Sequence, residues 1–314
     1  MKNKIIIIMG PTGVGKTALS IKLAQKFNGE IISGDSMQVY KHLDIGTAKV
    51  TPEEMDGVPH HLIDILSVEE KYNASAFQQQ AKRLIEQIDE KGKVPIIAGG
   101  TGLYIESLIF DVSHGGETQK DETFRKTQEK YAEENGNHAL WEKLNQVDPK
   151  AAASIHENNV RRVVRALEVI DQTGELYSNQ QQERTKENMV YDAYIIGLNT
   201  DRQLLYDRIN LRVDLMMEDG LLDEVKWLDE TLDRSAQAAR GIGYKEFYDY
   251  LDGNKDLESS VELVKKNSRN YAKRQLTWLN NRTPVTIWAD LIQQPEEETH
   301  LIDSVENFLN KGDD

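Results

Sequence analysis

Two groups of residues near the start of this chain have the types and spacing that handle phosphate and protons. The first is Gly10-Pro11-Thr12-Gly13-Val14-Gly15-Lys16-Thr17, which fits the P-loop pattern G-x-x-x-x-G-K-[ST] at every fixed position. Glycines let the backbone curl so that its N–H groups converge on a phosphate, and the N-terminus of the following helix adds partial positive charge. Lys16 supplies a point charge, and Thr17 supplies a hydroxyl for Mg²⁺. By motif alone the loop is nucleotide-binding, with ATP among its possible ligands, since the pattern says diphosphate or triphosphate without saying which. The second group is Gly34-Asp35-Ser36-Met37-Gln38-Val39-Tyr40. Asp35 falls at the carboxyl end of the strand after the P-loop helix, on the sheet edge where ligands bind. It is a candidate general base or Mg²⁺ partner, and an Asp capping a turn fits the position equally well.

Further along, Gly99-Gly100-Thr101-Gly102-Leu103-Tyr104 would let backbone approach a ligand closely, with Thr101 able to donate to a phosphate or a base. A plain strand-to-helix turn would read the same. An ATPase would place a Mg²⁺-holding Asp at the end of this strand. Glycine stands there instead, and the substitute, Asp64, lies inside an apolar run, which weakens an ATP-hydrolysis reading. The adjacent His60 and His61 make a poor zinc site, because neighbouring side chains diverge and no third ligand follows at a zinc spacing.

These groups need elements to hold them. Ile5 to Met9 is a short apolar, β-branched run and reads as a buried strand, and residues 17–27 carry apolar side chains along one helical side. Further strands are expected at 30–33, 62–66, 94–98, 193–198 and 284–289. Helices are expected at 74–90, 201–218, 220–232 and 257–279, with a tight loop at 240–246 and an acidic helix closing the chain. From Asp111 to about Val190 the chain is polar and helical in pattern, and it interrupts the β/α alternation. The fold class is therefore α/β, a P-loop NTPase-like parallel sheet flanked by helices, with an inserted all-helical subdomain. Residues 1–110 and 191–314 make the catalytic core, and 111–190 make the insertion. Within the insertion Val160, Val163, Val164, Leu167 and Ile170 form a core face. Arg161, Arg165 and Glu168 lie on another face with Arg162 nearby, and the arginines read as a solvated face or a nucleic-acid site.

The chain has 314 residues, 39% hydrophobic and 29% charged, enough for a sizeable core in a soluble protein. It has no cysteine. That excludes disulfides, a thiol nucleophile and cysteine-ligated zinc, and it suits the cytoplasm. No run is long enough to span a membrane. The net charge of −15 argues against non-specific nucleic-acid binding by the whole surface. A nucleic-acid partner would need a local basic site, and one candidate exists. The helix at 257–279 gathers Lys266, Arg269 and Lys273, followed by Arg274, with Tyr271 and Trp278 interleaved.

Taken together, the motifs resemble the bacterial tRNA dimethylallyltransferase family, the tRNA isopentenyltransferases of the P-loop fold. The carriers are residues 10–17, Asp35–Tyr40, Asp44-Ile45-Gly46-Thr47-Ala48-Lys49, His60–Asp64, Gly99–Tyr104, Arg162–Glu168, Gly243-Tyr244-Lys245-Glu246 and Lys273-Arg274-Gln275-Leu276-Thr277-Trp278-Leu279. They occur in the family's order and span nearly the whole chain. The resemblance implies transfer of a dimethylallyl group from dimethylallyl diphosphate to N6 of an adenosine beside the anticodon of tRNA, with Mg²⁺. It implies a P-loop that holds the donor's diphosphate, Asp35 as general base, Thr101 binding phosphate or tRNA, and Arg212 clamping the diphosphate. The tRNA anticodon stem-loop would face Asp35, Ser36, Met37, Gln38 and Thr101, the arginines Arg161, Arg162 and Arg165, and the basic helix with Arg269, Lys273 and Arg274. A monomer is expected. The chain departs from the family at two places: Gly13 stands where Ala is frequent, expected only to loosen the loop, and Glu157 follows His156 where Pro is common.

Overall fold

Ile5 to Ile8 are completely buried in the computed structural model, which describes residues 2–112, 121–180 and 185–311. An unbroken β-branched run without alternation is what a strand covered on both faces requires. These residues form β1 (Lys4–Met9), inside a six-stranded, wholly parallel sheet of order β3-β2-β4-β1-β5-β6. The other strands are β2 (Gly29–Ser33), β3 (His60–His61), β4 (Val94–Gly99), β5 (Asp192–Leu198) and β6 (Ile287–Ala289). β1 lies between β4 and β5, where the strand order reverses. Its carboxyl end therefore opens at the switch point at which open α/β sheets bind ligands.

Helices α1 (Lys16–Phe27), α2 (Pro52–Met55), α3 (Ala74–Glu90) and α4 (Gly102–Ile109) belong to the first part of the chain. The insertion contributes α5 (Glu122–Asn135), α6 (Asn137–Val147), α7 (Pro149–Ser154) and α8 (Val160–Thr173). After β5 follow α9 (Arg202–Glu218), α10 (Leu221–Thr231), α11 (Tyr248–Leu251), α12 (Leu257–Arg282) and α13 (Glu297–Asn310). α3 begins where the Asn73 side chain accepts a hydrogen bond from Ala76 N, and it buries Ala74, Phe77, Ala81, Ile85 and Ile88 at helical spacing. α12 is capped by Asp256, which accepts from Ser259 N at 2.7 Å, and it runs 26 residues, about 39 Å.

The chain forms two compact units, Met1–Asp111 with Arg184–Asp314, and Val112–Glu183. The smaller unit has its own core, including Leu140, Leu144, Ile155, Val163 and Val164. It also encloses Glu168, which is 0% exposed. Arg125 meets that carboxylate with both guanidinium arms at 2.8 and 2.7 Å, and Arg165 adds a third contact at 2.6 Å. In the larger unit, Val190 N donates to Ile109 O at 2.9 Å, so the chain returns to within one backbone hydrogen bond of where it left. Among the described residues no helix is long and apolar enough to cross a membrane.

The strand expected at 62–66 is not formed. β3 is only His60–His61, because Leu62 (φ 61°) and Asp64 (φ 54°) take left-handed conformations that end an extended run. The chain rejoins the sheet direction only at Leu66, as an isolated bridge to Tyr40. The last strand is also shorter than 284–289: it spans Ile287–Ala289, Pro284 has no N–H to give, Val285 N turns back to Thr283 O, and Ile195 N is taken by the Thr286 hydroxyl.

Candidate active site

The phosphate loop follows from β1 and α1 being joined by a turn too tight for most residues. Gly13 (φ 82°) and Gly15 (φ 99°) adopt left-handed backbone, and Gly15 directly precedes α1. Lys16 Nζ donates to Pro11 O at 2.8 Å, folding the ammonium back over the loop. Burial, then the Arg212 charge, depress its pKa to about 8, against the opposing pull of Asp35. α9 reaches the loop with two arginines one turn apart. Arg212 donates to Thr12 Oγ1 at 3.3 Å and Arg208 Nε to Gly13 O at 3.0 Å. Burial lowers the Arg212 pKa as well. Lys16, Arg208 and Arg212 converge on the loop, and so much positive charge in one place suits a polyanionic ligand.

The carboxyl end of β2 supplies Asp35. Its Oδ1 accepts from Met37 N (2.8 Å) and Gln38 N (3.3 Å), a turn-capping arrangement that fixes the carboxylate in place. Asp35 and Gln38 share with Thr12, Lys16, Thr17 and Arg212 one cleft of about 420 Å³. Its apolar wall includes Ile209, Val213 and Met216 from α9 and Val264 from α12. A charged end, an apolar wall and a fixed carboxylate suit a ligand with an anionic head and a short hydrocarbon, next to a group that must lose a proton.

Gly99 and Gly100 line the cleft, while Thr101, the residue before α4, does not. Its Oγ1 is buried and makes no hydrogen bond of ordinary geometry. It does lie close enough to the Tyr271 hydroxyl to influence it. Burial and the Asp35 charge push that hydroxyl up to about 12, and Thr101 and Gln275 act against them. Gln275 has a second task. Its Oε1 accepts from Thr12 N at 2.9 Å and its Nε2 donates to Gly100 O at 3.1 Å. One side chain of α12 therefore ties the phosphate loop to the β4–α4 loop.

Ser36 and Met37 line the cleft as well, whereas Arg269, Lys273 and Arg274 of α12 do not. Arg269 donates to Asn210 Oδ1 at 2.5 Å, and Arg274 lies 5.6 Å over the Tyr271 ring. Lys273 and Arg274 are exposed, and with Trp278 and Arg282 they line a separate shallow groove along α12. In the smaller unit Arg161 is exposed, whereas Arg165 is engaged with buried Glu168. Glu157, in the segment leading to α8, pairs with His138 at 2.7 Å. The two histidines serve the fold: His60 Nδ1 meets Val58 O at 2.9 Å, and His61 Nε2 meets Glu30 at 2.7 Å. Asp64 pairs with Lys49 at 2.6 Å and does not line the cleft. Among the described residues no group of three or more His, Asp or Glu is placed to hold a metal on its own.

Gln275 is the participant to which the sequence assigns no role of its own, since it stands there only within the 273–279 motif. It occupies the side of α12 that also buries Ala272 and Leu279, so a polar residue at a core-facing position is the available clue. Arg208 and Arg212 are already paired by their one-turn spacing, and Tyr271 reads as an aromatic of the basic helix, whereas its hydroxyl faces the cleft.

Comparison with known proteins bears on this geometry. The model of the family described as IPP transferase matches residues 38–282. The chain is 54% identical over 309 residues to the tRNA dimethylallyltransferase of Enterococcus faecalis, covering 98% of each, and 50% identical over 313 residues to that of Latilactobacillus sakei, covering 99% of each. Among solved structures, it is similar to the full-length tRNA isopentenylpyrophosphate transferase of Bacillus halodurans, with 48% identity, TM-score 0.74, and 98% and 97% of the two chains covered. It is also similar to a eukaryotic dimethylallyltransferase described as acting on tRNA, with 33% identity, TM-score 0.83, and 97% of this chain and 79% of that one covered.

Proposed function

The chain belongs to the IPP transferase family, and from that premise we propose that it transfers a dimethylallyl group from dimethylallyl diphosphate to N6 of the adenosine beside the anticodon of tRNA. The observation that carries the reading is one cleft in which a phosphate loop, a fixed carboxylate and an apolar wall meet. Lys16, the loop amides and Arg212 hold the diphosphate, and Ile209, Val213 and Met216 shelter the hydrocarbon. The adenine nitrogen forms a bond to the allylic carbon as the carbon–oxygen bond to diphosphate breaks. Asp35 takes the N6 proton, and diphosphate leaves with the bonding electrons. The amine is a weak nucleophile because its lone pair is delocalised, so a positioned base contributes about 10²–10⁴-fold. Charge accumulates on the leaving group, and the cations around residues 10–17 are arranged to stabilise it.

The Thr17 hydroxyl and Asp35 carboxylate line the same cleft, hard oxygen donors that suit Mg²⁺ beside a diphosphate. Bound there, the metal ion would neutralise part of the leaving group's charge. Thr101, next to the Asp35 loop, would contact phosphate or the target nucleotide. The tRNA would be met by Ser36, Met37 and Gln38 at the cleft, by Arg269, Lys273 and Arg274 of α12, and by Arg161, Arg162 and Arg165 of the insertion. A monomer in the cytoplasm completes the reading.

The test uses the purified protein, Mg²⁺, radiolabelled dimethylallyl diphosphate and unmodified tRNA, with AMP and ATP as alternative acceptors and an Asp35→Ala variant in parallel. Label in tRNA alone, lost in the variant, is the expected outcome. Label in AMP or ATP would replace tRNA by a free nucleotide as acceptor. No label, with ATP turnover instead, would reject prenyl transfer.

A further inference from the structure

The main-chain N–H groups of Asp44, Ile45 and Gly46 converge on one point, and successive amides that converge form a nest, the backbone arrangement that binds anions. In this protein the anion is built in. Glu224, on α10 and some 180 residues away in sequence, accepts from Asp44 N and Ile45 N at 2.8 Å with one oxygen. Its other oxygen accepts from Gly46 N at 2.9 Å and from the Tyr244 hydroxyl at 2.7 Å. Burial and the Glu224 charge keep that hydroxyl protonated, with its pKa well above the usual range. The Tyr244 ring lies so close to Gly46 that a Cβ there would sit 2.6 Å from it, so the loop and the ring form one wall.

That wall faces the reaction. Gly46, Thr47, Ala48, Gly243 and Tyr244 all line the cleft that holds Asp35. Gln38 Nε2 donates to Thr47 O and Ala48 O at 3.3 Å, and Gln38 N donates to Asp35 Oδ1. A hydrogen-bonded path therefore runs from Glu224 through the 44–48 loop and Gln38 to the Asp35 carboxylate. Among the described residues, none of its bonds goes to residues 10–17.

The geometry points to Glu224 as a positioning residue for the acceptor. It fixes the cleft wall on the Asp35 side, against which the target base is held, and it touches neither the prenyl diphosphate nor the reacting atoms. The inference rests on the proposed transfer to tRNA. A glutamine at this position keeps the shape but turns one acceptor into a donor. At least one of the four N–H or O–H groups then loses its partner and the loop shifts. Misplacement by about 1 Å is enough for effects up to about 100-fold.

The experiment measures steady-state prenyl transfer by the full-length wild type, Glu224→Gln and Tyr244→Phe, with tRNA and dimethylallyl diphosphate varied separately. The expected result is a tRNA KM raised about 10-fold or more in Glu224→Gln, with the KM for dimethylallyl diphosphate unchanged. Tyr244→Phe, which leaves the three amides paired, shows the same split at smaller size and serves alone if Glu224→Gln does not fold. A tRNA KM equal to wild type in the folded variants, or both KM values rising together, overturns the role. The wild type is measured first. If it transfers no label to tRNA, the proposed function fails, whereas wild-type transfer with unaffected variants sinks only the assignment of Glu224.

Discussion

Lys16 is buried beside a like charge, Arg212. Burial and Arg212 bring its pKa from 10.5 down to about 8, and Asp35 offsets only part of this. A lysine whose pKa is lowered by folding destabilises the empty protein fully at pH below about 8. That penalty is relieved as pH climbs from there towards the unfolded value. A diphosphate reverses the balance by giving the ammonium a counter-charge, so the loop is prepared for an anion at the expense of its unliganded stability. Lys16→Met is therefore expected to raise the melting temperature of the free protein at pH 7. In the same variant the affinity for dimethylallyl diphosphate should fall by about tenfold or more, the effect of losing one charge-assisted contact of about 1.5–3 kcal/mol. Wild-type affinity should decline between pH 7 and 9 as Lys16 loses its proton, and the variant's should not. Paired calorimetry and thermal melts check both. An affinity equally pH-dependent in the variant would remove Lys16 as the titrating group.

At the scale of elements, α12 carries two jobs on opposite sides. Its outward positions hold Lys273 and Arg274, and its inward side places Gln275 between Thr12 N and Gly100 O. Gln275→Leu strands a buried donor and a buried acceptor, which costs about 1–3 kcal/mol for each group left unpaired. The expected outcome is a higher KM for dimethylallyl diphosphate and a lower melting temperature, with both readouts taken on one preparation. An unchanged donor KM would show that Thr12 needs no such tether. The contrast also marks what was legible beforehand. β1, the glycine loop and α1 are covalently consecutive, so pattern and spacing located them, and α3 fell at Ala74–Glu90 as its apolar period required. The strand expected at 62–66 failed because no local signal announces that Leu62 and Asp64 turn left-handed. Glu224 was invisible for a different reason. A glutamate on an amphipathic helix reads as solvated surface, and its partners at residues 44–46 are found only in three dimensions.

For the whole molecule, the sheet gathers the phosphate loop, the Asp35 turn and the Gly99–Thr101 loop along its carboxyl edge, and the helical unit is spliced in after α4. A version with residues 112–183 replaced by a short glycine-rich linker is expected to fold and to bind dimethylallyl diphosphate within about tenfold of the parent, a difference under about 1.4 kcal/mol. It should no longer retain tRNA on a filter. Loss of the diphosphate affinity as well would mean that the larger unit cannot assemble its own cleft. The reason to expect survival is the bond from Val190 N to Ile109 O, which closes the doorway through which the chain departs and comes back. Such a doorway has a meaning for ancestry. A stretch of gene flanked by two residues, Ile109 and Val190, that share one hydrogen bond can be gained, lost or exchanged as a cassette, leaving every strand junction intact. The sheet and the helical unit can thus diverge at different rates, because a change within the one leaves the strand junctions of the other untouched.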